Sequence, residues 1–270
     1  MNTAKGVTLI VSTFDQPDYL ARVLAGVSRQ TRAPDEVLLA DDGSGAETRR
    51  VFADWAAGRP FRCEHFWQKH EGFRKARVLN EAIASARGEY IVFLDGDTIP
   101  HGRFVADHLE LAAPGQFVQG HRALVGQRAA AEFGKNGRAP GRLRALCAGQ
   151  LSGAENVFRW PFAMKRWRTD LRGVRGCNFA MWRADLLRVN GYNEAFTGWG
   201  REDAELAARL MNAGVRRMDV RGRALCYHLW HPPADRGGLP ANDELLAEAV
   251  EQSRQRCERG LDAHLPSQPA

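Results

Sequence analysis

Along the first hundred residues, short apolar runs alternate with segments whose apolar positions recur at helical spacing. "VTLIVSTF", Val7 to Phe14, is a continuous β-branched run of the kind a fully buried strand shows, and "PDYLARVLAGVSRQ" then places Leu20, Val23, Leu24 and Val27 on one helical face. Pro17 suits the first turn of that helix, with Asp15 or Gln16 near its cap. The pairing repeats. "EVLLADDGSG" predicts a strand ending in acids and glycines, "AETRRVFADWAAG" a helix, "FRCEHFW" a strand, "FRKARVLNEAIASARG" a helix closed by Gly88, and "EYIVFLDGD" a fourth strand. Such alternation predicts βαβ units: an α/β fold with a Rossmann-like, mostly parallel central sheet and helices on both faces. Ligands of these sheets bind outside the carboxyl ends of the strands. Three polar clusters fall at those ends, Ser12 to Asp15, Asp41 to Ser44 and Asp95 to Asp97.

The second half is patterned differently. From "GKNGRAPGRLR" to "MKRWRTDLRGVRG" no period holds, which predicts loops and short helices. "CNFAMWR" predicts a strand, "REDAELAARLMNAG" an amphipathic helix stopped by Gly214, and "RALCYHLWHPP" a strand running into a proline break. The tail from Asn242 to Arg259 predicts a helix, and the final "LPSQPA" a frayed end.

Composition narrows the class. With 270 residues, 44% hydrophobic and 26% charged, the chain can bury a full core as one large domain or two tightly joined lobes. "MNTAKG" lacks the apolar core of a signal peptide, and no run approaches the roughly 20 apolar residues that cross a bilayer. A cytoplasmic location is expected. Five scattered cysteines without a CxxC pair fit neither a disulfide framework nor a zinc site. The formal charge of +6 is concentrated: residues 135 to 175 hold ten Lys and Arg against Glu155 and Asp170, more than the whole chain's excess. With Trp160, Phe162 and Trp167 interleaved, this segment is a candidate to rest on an anionic membrane leaflet or hold a phosphorylated lipid-linked acceptor. A solvated loop region with a few core aromatics would give the same pattern.

The candidate chemistry lies in short stretches. In "DGD", Gly96 lets the backbone turn sharply so that Asp95 and Asp97 can share a cavity, and hard oxygen ligands in an open site suit Mg²⁺ or Mn²⁺. The same three residues also make an ordinary turn. In "ADDGSG" a carboxylate can accept from a nucleotide, or again form a turn. "EGFRKARVLNEAI" sets Arg74, Lys75 and Arg77 near a helix start, where phosphate is favoured, although a solvated basic face would look alike. "GWGREDAEL" puts Glu202 and Asp203 in the first turn of a helix, as the helix dipole alone would favour. The dipole does not explain Trp199 between two glycines, which reads as a platform for stacking on a sugar ring. "YHLWHPP" offers His228 and His231, one of which could complete a mixed oxygen and nitrogen metal site with Asp97.

Taken in order, "VSTFDQPDYLARVLAGVSRQT", "DEVLLADDGSG", "GFRKARVLNEAI", "GEYIVFLDGD", "RGCNFAMWR" and "GWGREDAEL" resemble the family 2 glycosyltransferases of the GT-A fold, in the bacterial branch that builds lipopolysaccharide cores and other surface glycans. The resemblance covers roughly residues 6 to 235, and "GWGREDAEL" is similar to the acceptor-side motif of galactosyltransferase-type enzymes and chondroitin-type polymerases. It implies that Asp42 contacts uracil, with Thr13, Asp15 and Arg74 also in the nucleotide site. Asp97 would ligate the metal directly, and Asp95 would lie nearer the ribose. Asp203 would be the catalytic base, with Glu202, Arg201 and Trp199 holding the acceptor. His228 fits the downstream metal-ligand histidine better than His231 because it sits at the strand end. Two departures stand out: Phe14-Asp15 replaces the usual Tyr-Asn, and Gly96 replaces the alanine of "DAD".

The resemblance further implies an inverting transfer of a hexose or N-acetylhexosamine from a UDP-sugar to a glycan or glycolipid hydroxyl, with Mn²⁺ or Mg²⁺ as cofactor. It implies one GT-A domain over residues 1–240, with a nucleotide-binding half about 6–115, a smaller acceptor-binding half about 116–240, and a C-terminal helix and tail over 241–270. Possible contact with the anionic inner membrane follows, and nucleic acid is not expected. A sugar-phosphate nucleotidyltransferase would share the α/β half but carry a glycine-rich loop where "STFDQPDYL" stands. A non-enzymatic glycan- or RNA-binding module could use the basic segment but would have no need of Asp97 and Asp203.

Overall fold

The computed structural model describes residues 4–135 and 146–266. Its strands, in chain order, are β1 (Val7–Thr13), β2 (Glu36–Asp41), β3 (Arg62–Trp67), β4 (Tyr90–Asp95), β5 (Thr98–Pro100), β6 (Gln116–Gly120), β7 (Arg122–Val125), β8 (Leu151–Ser152), β9 (Met164–Arg168), β10 (Asn178–Trp182), β11 (Arg216–Arg221) and β12 (Cys226–His228). β1 is buried at every position, which is why its sequence shows no polar alternation. Its side chains divide between two cores. Val7, Leu9 and Val11 pack with Leu20, Val23 and Leu24 of the helix Pro17–Val27, while Ile10 faces Val78, Leu79 and Ile83 of the helix Lys75–Ser85. Each such buried aliphatic side chain contributes about 1.5–3 kcal/mol.

The large sheet has the order β3-β2-β1-β4-β10-β6-β11-β9, parallel from β3 to β4 and mixed thereafter. This is the predicted α/β arrangement, with helices on both faces. A second, four-stranded sheet, β5-β12-β7-β8, stands at the carboxyl ends of the parallel strands; of its strands the sequence reading anticipated only β12, within "RALCYHLWHPP".

Four local expectations change. The helix Lys75–Ser85 ends as Ala86 turns extended, so Gly88 does not close it. Gly88 is needed instead for close approach: a Cβ there would lie 2.7 Å from the backbone nitrogen of Thr8. The segment expected as loops and short helices contributes β8, a 3₁₀ turn at Ala154–Asn156, and the edge strand β9. Arg138, Arg142 and Arg144 lie outside the described residues. β11 was not anticipated, because "RRMDVR" buries Arg217 and Asp219 against each other (3.1 Å) rather than showing an apolar run. The C-terminal helix spans Leu239–Glu251, short of Arg259, and the chain then turns back so that Cys257 and Leu261 are buried, with Leu261 N–H donating to Asn190 O (2.9 Å). Residues 267–270 fall outside the described range.

Candidate active site

The strand ends converge on one cavity of about 1100 Å³. Thr13, Phe14, Asp42, Asp95 and Asp97 line it from the first half of the chain, and Trp199, Arg201, Glu202, Asp203, His228 and His231 from the second. Asp15 and Arg74 are not among the lining residues. Asp15, at φ +46°, donates its backbone N–H to Ser44 Oγ (2.8 Å) and so shapes the β1 loop. The Arg74 guanidinium turns back to Lys69 O and Glu71. Its backbone N–H donates to Asp42 Oδ2 (2.8 Å), while Gln68 donates to Oδ1. Burial nevertheless raises the Asp42 pKa above its ordinary value. Thr13 Oγ1 is buried, and among the described residues no group bonds to it. An unpartnered hydroxyl on a ligand-sized cavity is a ready contact for a bound molecule.

The "DGD" turn proves to be a packing device. Gly96 does not adopt positive φ; a Cβ there would lie 2.9 Å from Thr13 Oγ1 and 3.0 Å from Ser12 O. The glycine therefore lets the turn press on β1, where Gly96 N–H donates to Ser12 O (2.7 Å). Asp95 accepts from Ser12 Oγ and from Lys75 Nζ, both at 2.8 Å. Burial works against its charge, but Lys75, the Ser12 hydroxyl and the Arg122 charge together outweigh burial and hold the Asp95 pKa below the ordinary range.

Asp97 is placed by the second sheet. The antiparallel register of β12 on β5 sets His228 opposite Thr98, and Leu229 N–H donates to Asp97 O (2.9 Å). His228 Nε2 then stands 3.6 Å from Asp97 Oδ2 and His231 Nε2 3.2 Å from it. His231 Nδ1 bonds Pro232 O (2.7 Å); a carbonyl only accepts, so Nδ1 carries the proton and Nε2 faces the carboxylate. Burial lowers the His228 pKa, whereas the bond to Asp97 raises that of His231. One oxygen and two nitrogen ligand atoms lie within 4.8 Å of one another, a donor set that fits a divalent cation. Both histidines join the site, not His228 alone.

On the opposite wall, Trp199 is 40% exposed between Gly198 (φ +79°) and Gly200 (φ +102°), with Arg236 over its ring at 5.3 Å. Arg201 (φ +77°) pairs with Asp243 and opens the helix Glu202–Asn212. Asp203 Oδ2 accepts from Gly176 N–H (2.7 Å), and Oδ1 from Tyr192 O–H (3.3 Å). A Cβ on Gly176 would come within 2.5 Å of Asp203 Oδ1, so only glycine allows this approach. Burial raises the Asp203 pKa, and burial together with Asp203 pushes Glu202 up to about 7. Between the walls lies a group that sequence reasoning offered only as one of three basic residues at a helix start. Lys75, bonded to Asp95, also faces Asp203 and Glu202; burial alone would lower its pKa, yet these acids carry it well above the usual lysine range. Its signal was present in "FRKAR", where the basic contact was placed one residue early.

Residues 8–189 match glycosyl transferase family 2. The chain belongs to that family. Residues 159–232 of this glycosyltransferase also match the N-terminal domain of galactosyltransferase, a span that holds Trp199, Asp203, His228 and His231. Among similar proteins, chondroitin synthase of Escherichia coli is 26% identical over 243 residues, which is 83% of this chain and 34% of that protein. Validoxylamine A glucosyltransferase of Streptomyces hygroscopicus subsp. limoneus is 27% identical over 231 residues, 77% of this chain and 48% of that protein. The chain thus spans a third to a half of the length of these relatives. In fold it resembles TarS of S. aureus, with a TM-score of 0.62 at 14% identity over 96% of this chain and 41% of that one. The mannosyltransferase PcManGT of Pyrobaculum calidifontis, solved with GDP-Man and Mn²⁺, gives 0.56 at 18% identity over 93% of this chain and 76% of that one. The GT-A fold and the family expected from sequence are those found. Among the described residues no helix is long and apolar enough to cross a membrane.

Proposed function

We propose that this transferase moves a hexose or N-acetylhexosamine from a UDP-sugar to a hydroxyl of a lipopolysaccharide-core or other surface-glycan acceptor, with inversion and with a divalent cation, at the cytoplasmic face of the membrane. The observation that carries the proposal is the pairing, in one cavity, of a cation-fitting trio (Asp97, His228, His231) with a half-buried, oriented carboxylate, Asp203. The solved neighbour's GDP-Man and Mn²⁺ support the cation, and two imidazoles beside one carboxylate suit Mn²⁺ better than Mg²⁺. Such an ion, when bound, supplies charge stabilisation for the departing diphosphate. Residues about 6–115 form the donor half and about 116–240 the acceptor half of one domain, with 241–270 as its C-terminal extension.

The chain's own groups then divide the work. Asp42 and the Thr13 hydroxyl bind the nucleotide base and its surroundings, and Asp95, kept ionised by Lys75, accepts from the ribose side. Trp199 supports the acceptor ring. Asp203 takes the proton of the attacking hydroxyl: Gly176 N–H fixes Oδ2, Oδ1 keeps only the long bond from Tyr192, and burial raises its basicity. Asp203→Asn should lower transfer by about 10²–10⁴-fold. Thermal stabilisation by UDP with Mn²⁺ should survive the change, and equal loss of that stabilisation would refute the role. A panel of UDP- and GDP-sugars in the same assay identifies the donor.

A further inference from the structure

The eleven residues 158–168, "FRWPFAMKRWR", hold four aromatics, four cations and no acid. Eleven large hydrophobic side chains are exposed among the described residues, and five of them lie here: Phe158, Trp160 (44%), Phe162 (61%), Met164 and Trp167 (49%). The exposure is built in. Buried Asp107 accepts from Arg159 (2.7 Å) and from Arg223 (3.1 Å), and Arg223 also bonds Trp160 O and Pro161 O, so the backbone is clamped while the rings stay out. Trp160 lies on Gly222, where a Cβ would meet the ring at 2.7 Å, and Trp167 stacks on Arg216 at 4.1 Å. Lys165 and Arg166 project from the edge strand β9 and have no acidic partner among the described residues.

We infer that this face is a docking surface for an anionic phospholipid bilayer. Aromatic rings held at a protein's edge beside unpaired cations match the lipid–water interface, where rings enter the headgroup layer and cations meet phosphate. Pairing of β9 with a second copy is the competing occupant, but lysine and arginine along an edge strand oppose strand addition. After β9, Thr169 and Asp170 lead into Leu171 to Gly176, which line the cavity, so a docked face sets the active site beside the membrane. Its purpose, reaching a membrane-held acceptor, rests on the proposed function; the docking itself does not.

The test is flotation of the full chain with phosphatidylcholine vesicles, with and without phosphatidylglycerol, alongside its mass in solution. Co-flotation with anionic vesicles only is expected. Lys165→Glu with Arg166→Glu, and separately Trp160→Ser with Phe162→Ser, should each cut the bound fraction at least tenfold with unchanged melting temperature. Absence of flotation, flotation indifferent to both variants, or a dimer that β9 charge reversal alone abolishes would each overturn the inference. UDP-dependent stabilisation measured on the same samples reports on the transferase reading independently.

Discussion

The two walls of the cavity are built in different ways. On the donor wall, Thr13, Asp42 and Asp95 sit at or just past the ends of parallel strands, and β-sheet register places them. On the acceptor wall, Trp199 stands between two glycines of positive φ, Gly198 and Gly200, Arg201 itself has positive φ, and Asp203 is oriented by a glycine amide from another loop. Strand ends are repeatable geometry that many ligands can share, whereas turns place a few groups for one purpose. In the proposed function the first wall takes the nucleotide and the second the acceptor.

Lys75 is where the walls meet, so its loss should have the largest effect. Lys75→Met leaves Asp95, Asp203 and Glu202 facing one another with only Arg122 still acting on Asp95, and should cost about 3 kcal/mol of stability by urea unfolding at pH 8. The loss should shrink as pH falls and the acids protonate. A cost independent of pH would mean that Lys75 acts through packing alone, and the walls would then be electrostatically separate.

Gly176→Ala breaks only the acceptor wall. The new methyl displaces the Asp203 carboxylate from its position 2.5 Å away, and a shift of that order should lower kcat about a hundredfold while donor affinity holds. His231→Ala breaks only the donor wall. It should weaken Mn²⁺ binding, measured by calorimetry, by about tenfold or more, with His228 and Asp97 retaining residual affinity. If both variants changed donor and acceptor kinetics alike, the division between walls would fail.

How much of this was legible follows from the same contrast. Asp42, Asp95 and Asp97 could be found because an apolar run ending in acids says both strand and rim. Arg74 and Lys75 could not be told apart, since adjacent residues at a helix start point about 100° apart and the sequence does not mark where the helix begins. His231 reaches Asp97 only through the loop after β12, whose Trp230 carbonyl is held by Tyr19 O–H (2.8 Å), more than two hundred residues away in sequence. β9 and β11 escaped notice because their side chains are mostly charged: one strand is an exposed edge and the other buries an arginine with its acid.

The smallest predicted effect concerns Glu202, which is 6% exposed and adjoins Asp203. Its pKa stands at about 7 in the folded chain against an ordinary 4.5, so the folded state holds a proton that the unfolded state has already released. For an acid shifted upward the ionised form is the disfavoured one. The penalty is absent below pH 4.5, grows as pH rises toward 7, and is full above that. Glu202→Gln removes the titration. It should leave the melting temperature unchanged at pH 4 and raise stability by about 1–2 kcal/mol at pH 8, less than the whole shift would give because part of that shift belongs to the coupling with Asp203. A variant equally stabilised at both pH values would show that Glu202 is strained by shape and not by charge. The acceptor wall's acids would then be placed by packing, as the donor wall's are by strand register.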